Sequence, residues 1–418
     1  MQTTRRVLAG RAASTTTFGH IPEGPADPIL GVTAAWGADT RSPKLNLGVG
    51  AYRGDDGKPH TLECVDKAGA LLAAADLDHE YAAISGVPAF NAAALELALG
   101  ADSPALAESR AVALQSVSGT GAVRVMMAFA ARFLGSAVAL PNPTWGNHIP
   151  IAADAGLDVL RYRYYNPANR GLDFDGLLDD LAALPEKTPV LLHACAHNPT
   201  GVDPSADQWR AISALMADRA LFPLVDMAYQ GFASGNVDKD AFALRTLVDD
   251  GHSLILATSF AKNMGLYGHR IGALTFVGQN ADEIAAVESQ AKILIRPMYS
   301  NPPIHGARIV ETVLSNPDLK SLWLSEVEAM ATRIIDVRAK LAQGLAAAGS
   351  SHDWSHITNQ IGMFCYSGLS PDHVAALARD HAVYLTQDGR ISMAGVNSSN
   401  IDHLIHAIHS VTKDSSLS

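Results

Sequence analysis

Six short apolar runs, separated by helix-length amphipathic stretches, constrain this chain more than any other feature. They occupy residues 112–114, 137–140, 190–192, 221–225, 254–256 and 273–277. Strands covered on both faces read as continuous hydrophobic runs. Their alternation with helical stretches predicts an α/β domain built on a mainly parallel sheet. In such a sheet the ligand site lies at the carboxyl ends of the strands. The residues that follow each run are therefore the candidate site.

Composition narrows the partners. The 418 residues carry a formal net charge of −11, which argues against a general nucleic-acid surface. No apolar run reaches the roughly 20 residues of a membrane helix; the longest candidate, 121–140, is interrupted by Arg124 and Arg132. Cys64, Cys195 and Cys365 are far apart and form no CxxC pair, so neither a zinc site nor a disulfide framework is expected and a reducing compartment fits. The first nineteen residues hold Arg5, Arg6 and Arg11 among serines and threonines, and no acid precedes Glu23. A mitochondrial transit peptide has that composition, and so does an unstructured N-terminus of another kind.

The strand ends carry suggestive chemistry. Ser118-Gly119-Thr120-Gly121 precedes a helix expected to reach Gly135; glycines and a helix N-terminus suit an anion, and an ordinary N-cap uses the same letters. Trp145 could offer a flat face to a ring or simply pack in the core. Asn198 lies in an Asn-Pro-Thr-Gly turn. Asp226 could keep a pyridine nitrogen protonated, with Tyr229 beside it. Lys262 follows the 254–257 run, between Ser259 and Arg270. A buried amine there suits Schiff-base chemistry, and a surface lysine after a strand has the same spacing. Taken in order, phosphate cup, stacking ring, amide donor, acid and lysine make a complete kit for pyridoxal 5′-phosphate.

With these motifs the chain resembles the aspartate aminotransferases, fold-type I pyridoxal-phosphate enzymes, from about Pro25 to Lys413. Gly24 to Gly31, Asn46 to Tyr52, Ser116 to Gly121, His193 to Gly201 and Asp226 to Gly231 carry the likeness. Ser259 to Gly268, Lys292 to Pro303 and Asp388 to Ser392 look like the mitochondrial type. His269 stands where many relatives have glutamate, and Tyr81 is followed by Ala82-Ala83-Ile84-Ser85-Gly86 in place of a commoner Leu-Pro-Ile.

The resemblance implies a role for each matched residue. Lys262 would bond the cofactor and shuttle the proton. Asp226 would hold the pyridine nitrogen, with His148 behind it, while Asn198 and Tyr229 would bond the ring oxygen. Ser118, Gly119, Thr120, Ser259 and Arg270 would bind phosphate, joined by Tyr81 of a second subunit, and Trp145 would stack on the ring. Arg390, helped by Gly50 and Asn198, would grip the substrate α-carboxylate. Arg296 from the neighbouring subunit would take the side-chain carboxylate.

It further implies a homodimer with shared sites and ping-pong exchange of the amino group between L-aspartate and 2-oxoglutarate. The expected location is the mitochondrial matrix, with the cytoplasm as the alternative. A broader aminotransferase for aromatic substrates, including kynurenine, would use the same site. A non-catalytic fatty-acid carrier is the reading from another class. The expected organisation is a transit peptide over 1–19, an arm and part of a small domain over 20–60, a large domain over 61–330, and the rest of the small α+β domain over 331–418.

Overall fold

The computed structural model describes residues 17–24, 30–415 and 417. Residues 1–16 of the expected transit peptide, and residues 25–29 of the first matching motif, lie outside them. Seven strands form the main sheet: β1 (Ala111–Val117), β2 (Ala137–Asn142), β3 (Asp158–Arg163), β4 (Pro189–His193), β5 (Phe222–Met227), β6 (Leu254–Ser259) and β7 (Ile271–Val277). Their spatial order is β1-β7-β6-β5-β4-β2-β3. Pairings are parallel except that β7 runs antiparallel to both β1 and β6.

Each of the six apolar runs lies in one of these strands, or overlaps one. The edge strand β3 has no run, because its sequence DVLRYR alternates. Tyr162 is buried and donates from its hydroxyl to the Leu191 carbonyl, while Arg161 and Arg163 point outward. An edge strand with one wet face loses the continuous hydrophobic signature.

Side chains alternate across the sheet, so the two faces build separate cores. On one face Leu114, Leu140, Leu191, Leu224, Ile255 and Leu274 pack against α1 (Ser118–Phe133) through Val125, Met126 and Met127. On the other, Val190, Leu192, Val225, Leu256 and Ala273 join a larger cluster that contains Trp323 and Leu341. Full burial of each valine, leucine, isoleucine or methionine among them is worth about 1.5–3 kcal/mol before the entropy cost of ordering it.

Strand register brings the site residues to one edge. His193 is the partner of Asp226, Asp226 of Ala257, and Gly272 of both Ser259 and Ser116. Gly272 is required there: a Cβ would sit 2.6 Å from Thr258 O and from the Ser118 carbonyl carbon. The close approach seats the α1 N-terminus against the end of β6.

The ends of the chain meet away from this sheet. Leu45–Asn46 pairs in parallel with Val383–Tyr384, and Phe364–Tyr366 pairs antiparallel with Arg390–Ser392. The helical pattern expected over 326–347 belongs to a longer helix, α2 (Pro317–Ala347), whose N-terminus is capped by the Asn316 side chain. Residue 330, the expected domain boundary, falls inside this helix.

Candidate active site

A recess of about 510 Å³ opens at the carboxyl ends of β4, β5 and β6. Ser118, Gly119, Thr120, Trp145, Asn198, Asp226, Tyr229, Ser259 and Lys262 all line it, together with His193, Cys195 and Ala228. Nine residues singled out along the sequence thus converge on one cavity.

One wall is the start of α1. Ser118 opens the helix at φ +69°, and no side chain caps its first turn. The first-turn N–H groups therefore lack side-chain acceptors, and the partial positive charge of a helix N-terminus is directed at the recess. Gly119 lies so close to Ser259 that a Cβ would come within 2.9 Å of the serine Cβ. Arg270 holds a left-handed backbone conformation, is exposed, and donates from Nη1 to the Tyr267 carbonyl at 3.1 Å. It stands beside this wall and is not part of the recess lining.

Asp226 is the floor. Its Oδ2 accepts from His148 Nε2 at 3.0 Å, and the ring of Trp145 stands perpendicular to His148, 5.1 Å away. Thr144 Oγ1 lies 2.7 Å from His148 Nδ1 and 3.1 Å from His193 Nε2. Burial alone would raise the pKa of Asp226. The His148 hydrogen bond, with the positive potential of His148 and Lys262 behind it, outweighs this, so the carboxyl is held below its ordinary value. Burial pushes His193 down to about 3, with His148 adding to the effect and Asp226 opposing it. His193 is consequently a neutral ring.

Lys262 lies opposite. Burial lowers its pKa, Asp226 works against this, and the cations Arg270 and Arg390 lower it further. Its Nζ stands 5.4 Å from the centre of the Tyr229 ring. Burial raises the Tyr229 phenol, which Arg390 partly offsets. The next residue anchors the lysine loop: Asn263 Nδ2 donates to the Gln230 carbonyl at 3.1 Å, and Trp323 Nε1 donates to the Asn263 carbonyl at 2.7 Å.

A second, wider recess of about 1190 Å³ adjoins the first through Trp145 and Asn198, and Arg390 lies in its wall. Arg390 is only 5% exposed, yet its partners are neutral oxygens: Asn198 Oδ1 at 3.3 Å and the Gly48 carbonyl at 2.9 Å. Its buried Nε has no hydrogen-bond partner, and its guanidinium stands 4.1 Å from the Phe364 ring centre. A nearly buried cation with unused donors is a ready site for a carboxylate. Gly50 contributes space: a Cβ there would meet Phe364 Cζ at 2.7 Å. The carbonyl that reaches Arg390 is that of Gly48, not Gly50.

Tyr81 and Arg296 line neither recess. Tyr81 is 83% exposed, and Arg296 is exposed near the end of the helix Ala281–Tyr299, donating to Ser300 Oγ. Thr144, His193 and Phe364 belong to the site and were assigned no role from the sequence. His193 could have been found from its place at the end of the 190–192 run. Thr144 and Phe364 carry no such signal.

The donor set fits pyridoxal 5′-phosphate. A helix N-terminus with two hydroxyls suits a phosphate, an ionised buried acid suits a pyridinium, and an amine of lowered pKa lines the same recess. Among the described residues, no cluster of three His, Cys, Asp or Glu is placed to hold a metal ion, and no helix is long and apolar enough to cross a membrane.

The family described as aminotransferase class I and II matches residues 42–408, and the chain belongs to it. The chain is 54% identical to "Aspartate aminotransferase, mitochondrial" of Dictyostelium discoideum over 404 residues, 96% of this chain and 95% of that protein. It is 52% identical to the Gallus gallus protein of the same name, over 98% of this chain and 97% of that one. Among solved structures, an aromatic-amino-acid aminotransferase from Burkholderia pseudomallei, covalently bound to pyridoxal phosphate, superimposes with a TM-score of 0.93. It is 40% identical and covers 95% of this chain and all of its own. A mitochondrial aspartate aminotransferase from Trypanosoma brucei has a TM-score of 0.88 at 43% identity, covering 92% of this chain and all of its own. The fold is that of the fold-type I aminotransferases, and the cofactor of the family is pyridoxal 5′-phosphate.

Proposed function

We propose that this aminotransferase moves the amino group of L-aspartate to 2-oxoglutarate, giving oxaloacetate and L-glutamate in two half-reactions. The observation that carries the reading is the pairing of Lys262 and Asp226 in one recess with the uncompensated Arg390 in the next. Relatives above 50% identity over nearly the whole chain that are named for aspartate support it.

Bound pyridoxal phosphate would supply an electron-accepting ring for the pair left when a proton leaves the substrate α-carbon. Lys262 Nζ takes that proton, a role that burial favours by shifting the group toward the neutral amine. Asp226, supported by His148, would keep a proton on the ring nitrogen. Ser118, Gly119, Thr120, Ser259 and Arg270 would hold the phosphate, Trp145 would cover the ring, and Asn198 and Tyr229 would bond its oxygen. Arg390 receives the α-carboxylate with a planar fork that suits it bidentately. Displacing water from this recess strengthens each of these interactions.

Tyr81 and Arg296 complete the site from the second subunit of a homodimer, Tyr81 at the phosphate and Arg296 at the distal carboxylate. Their exposure in the single chain supports that role. A mitochondrial location is supported by the names of its relatives; the basic, acid-free N-terminal segment supports import to the matrix with loss of that segment. Residues 20–60 supply the N-terminal arm and part of the small domain, and 331–418 the rest of it; the pairing of Leu45–Asn46 with Val383–Tyr384 supports joining the two segments.

The likeness to an aromatic-amino-acid enzyme favours a second reading, in which aromatic substrates use the same site. Comparing kcat/KM for aspartate and phenylalanine with 2-oxoglutarate as acceptor separates the two. A clear preference for aspartate is expected. A preference for phenylalanine would overturn the proposal.

A further inference from the structure

Arg338 lies on α2, outside both recesses, and only 2% of it is exposed. It makes no ion pair with a carboxylate among the described residues. Nη1 donates to the Ile357 carbonyl at 2.8 Å, and Nη2 donates to the Gly362 carbonyl at 2.9 Å and to that of Phe364. A buried cation whose hydrogen bonds go to neutral carbonyls and whose other neighbour is the Cys365 thiol, with its Nε unpaired, adds little net stability, since desolvation offsets what the hydrogen bonds return. What three donors in a rigid plane do well is fix the directions of three carbonyls.

Those carbonyls belong to the segment that holds Arg390. Phe364 presents its ring to the Arg390 guanidinium, and Phe364–Tyr366 is the strand paired with Arg390–Ser392. The segment is also wedged against the turn that carries Asn198, the other neighbour of Arg390. Ile361 N donates to the Gly201 carbonyl at 2.8 Å. A Cβ on Gly201 would lie 2.9 Å from Ile361 O and 3.0 Å from Phe364 O, and one on Gly362 would lie 2.4 Å from the Ala196 Cβ. No slack exists between the two turns. On the far side, Asp203 clamps the Asn198 turn by accepting from Ala196 N at 2.6 Å and His197 N at 2.9 Å.

We propose that Arg338 is a positioning residue for α-carboxylate recognition: by fixing the 357–364 segment it sets Phe364 and, through the abutting turn, Asn198 on either side of the Arg390 guanidinium. The inference rests on the reading of Arg390 as the α-carboxylate grip. Because every amino-acid substrate has that group, loss of Arg338 weakens all of them by the same factor. Loss of a residue that reads the side chain would not.

The test uses the holoenzyme with Arg338→Met and Arg338→Lys, and Arg390→Lys as reference. The readouts are KM and kcat for aspartate and for phenylalanine, the calorimetric Kd of succinate as an unreactive dicarboxylate, and the melting temperature. The expected result for Arg338→Met is a rise of about tenfold in both KM values and in the succinate Kd, with kcat changed much less. Arg338→Lys keeps the charge but not the fork, and shifts the same quantities in the same direction. If Arg338→Met does not fold, Arg338→Lys decides. A lower melting temperature with both KM values and the succinate Kd unchanged, while Arg390→Lys raises them, would overturn the proposal and leave Arg338 a structural residue. If Arg390→Lys itself leaves them unchanged, the reading of Arg390 is what fails, and the role of Arg338 with it.

Discussion

His148 Nε2 lies 3.0 Å from Asp226 Oδ2, and this contact keeps the one acid on the floor of the recess ionised against its own burial. Replacing Asp226 with alanine removes the group that would keep a pyridine nitrogen protonated. We expect kcat to fall by far more than tenfold, which is about 1.4 kcal/mol. His148→Asn leaves the acid in place but weakens its support, so a smaller fall in the same direction is expected. Steady-state kinetics on both variants check the order.

Lys262 gives a prediction with a definite sign. Its folded pKa lies below the ordinary 10.5, chiefly through burial. Between the two values the unfolded chain binds more protons than the folded one, so this group makes stability rise with pH. Below the folded value the full penalty of a buried ammonium is present. In the protein freed of cofactor, Lys262→Met should therefore melt higher than the parent at neutral pH, and the gap should close as pH approaches 10.5. Calorimetric scans across pH test this, while the same variant should lose turnover entirely.

Arg390 and Arg296 should separate by substrate. Arg390→Ala strips the α-carboxylate of its partner and should cost about 2–5 kcal/mol in kcat/KM for every amino acid. Arg296→Asp should lower activity on aspartate while sparing substrates without a side-chain carboxylate, because an acid there repels dicarboxylates. Mixed dimers of Lys262→Ala and Arg296→Asp subunits should regain activity, since one of their two sites carries neither lesion. Subunit exchange followed by assay reads this out.

Trp323 should matter to stability before chemistry. Its Nε1 holds the Asn263 carbonyl next to Lys262, and the residue is fully buried. Trp323→Phe leaves that carbonyl without its donor, an expected loss of about 1–3 kcal/mol. Denaturant unfolding of parent and variant measures it.

The sheet was legible because β4, β5 and β6 are buried on both faces and keep unbroken apolar runs. β3 was not, because Arg161 and Arg163 interrupt it on its wet face. Asp226 follows such a run directly, and Ser118 and Lys262 come four and five residues after theirs, so all three could be placed at strand ends. The antiparallel insertion of β7 between β1 and β6 left no mark, since period and hydrophobicity are the same in either direction. Phe364 and Arg338 were invisible for another reason: one serves through its ring face and the other through carbonyls, and both relations depend on segments distant in sequence.

The most direct measurement is borohydride reduction of the holoenzyme followed by peptide mass spectrometry, with and without prior addition of L-aspartate. A phosphopyridoxyl mass is expected on the peptide bearing Lys262 in the enzyme alone, and its loss when aspartate is added first, because the amino group then resides on a cofactor no longer bonded to the lysine. A label on another lysine, or a label on Lys262 that aspartate does not diminish, would contradict it.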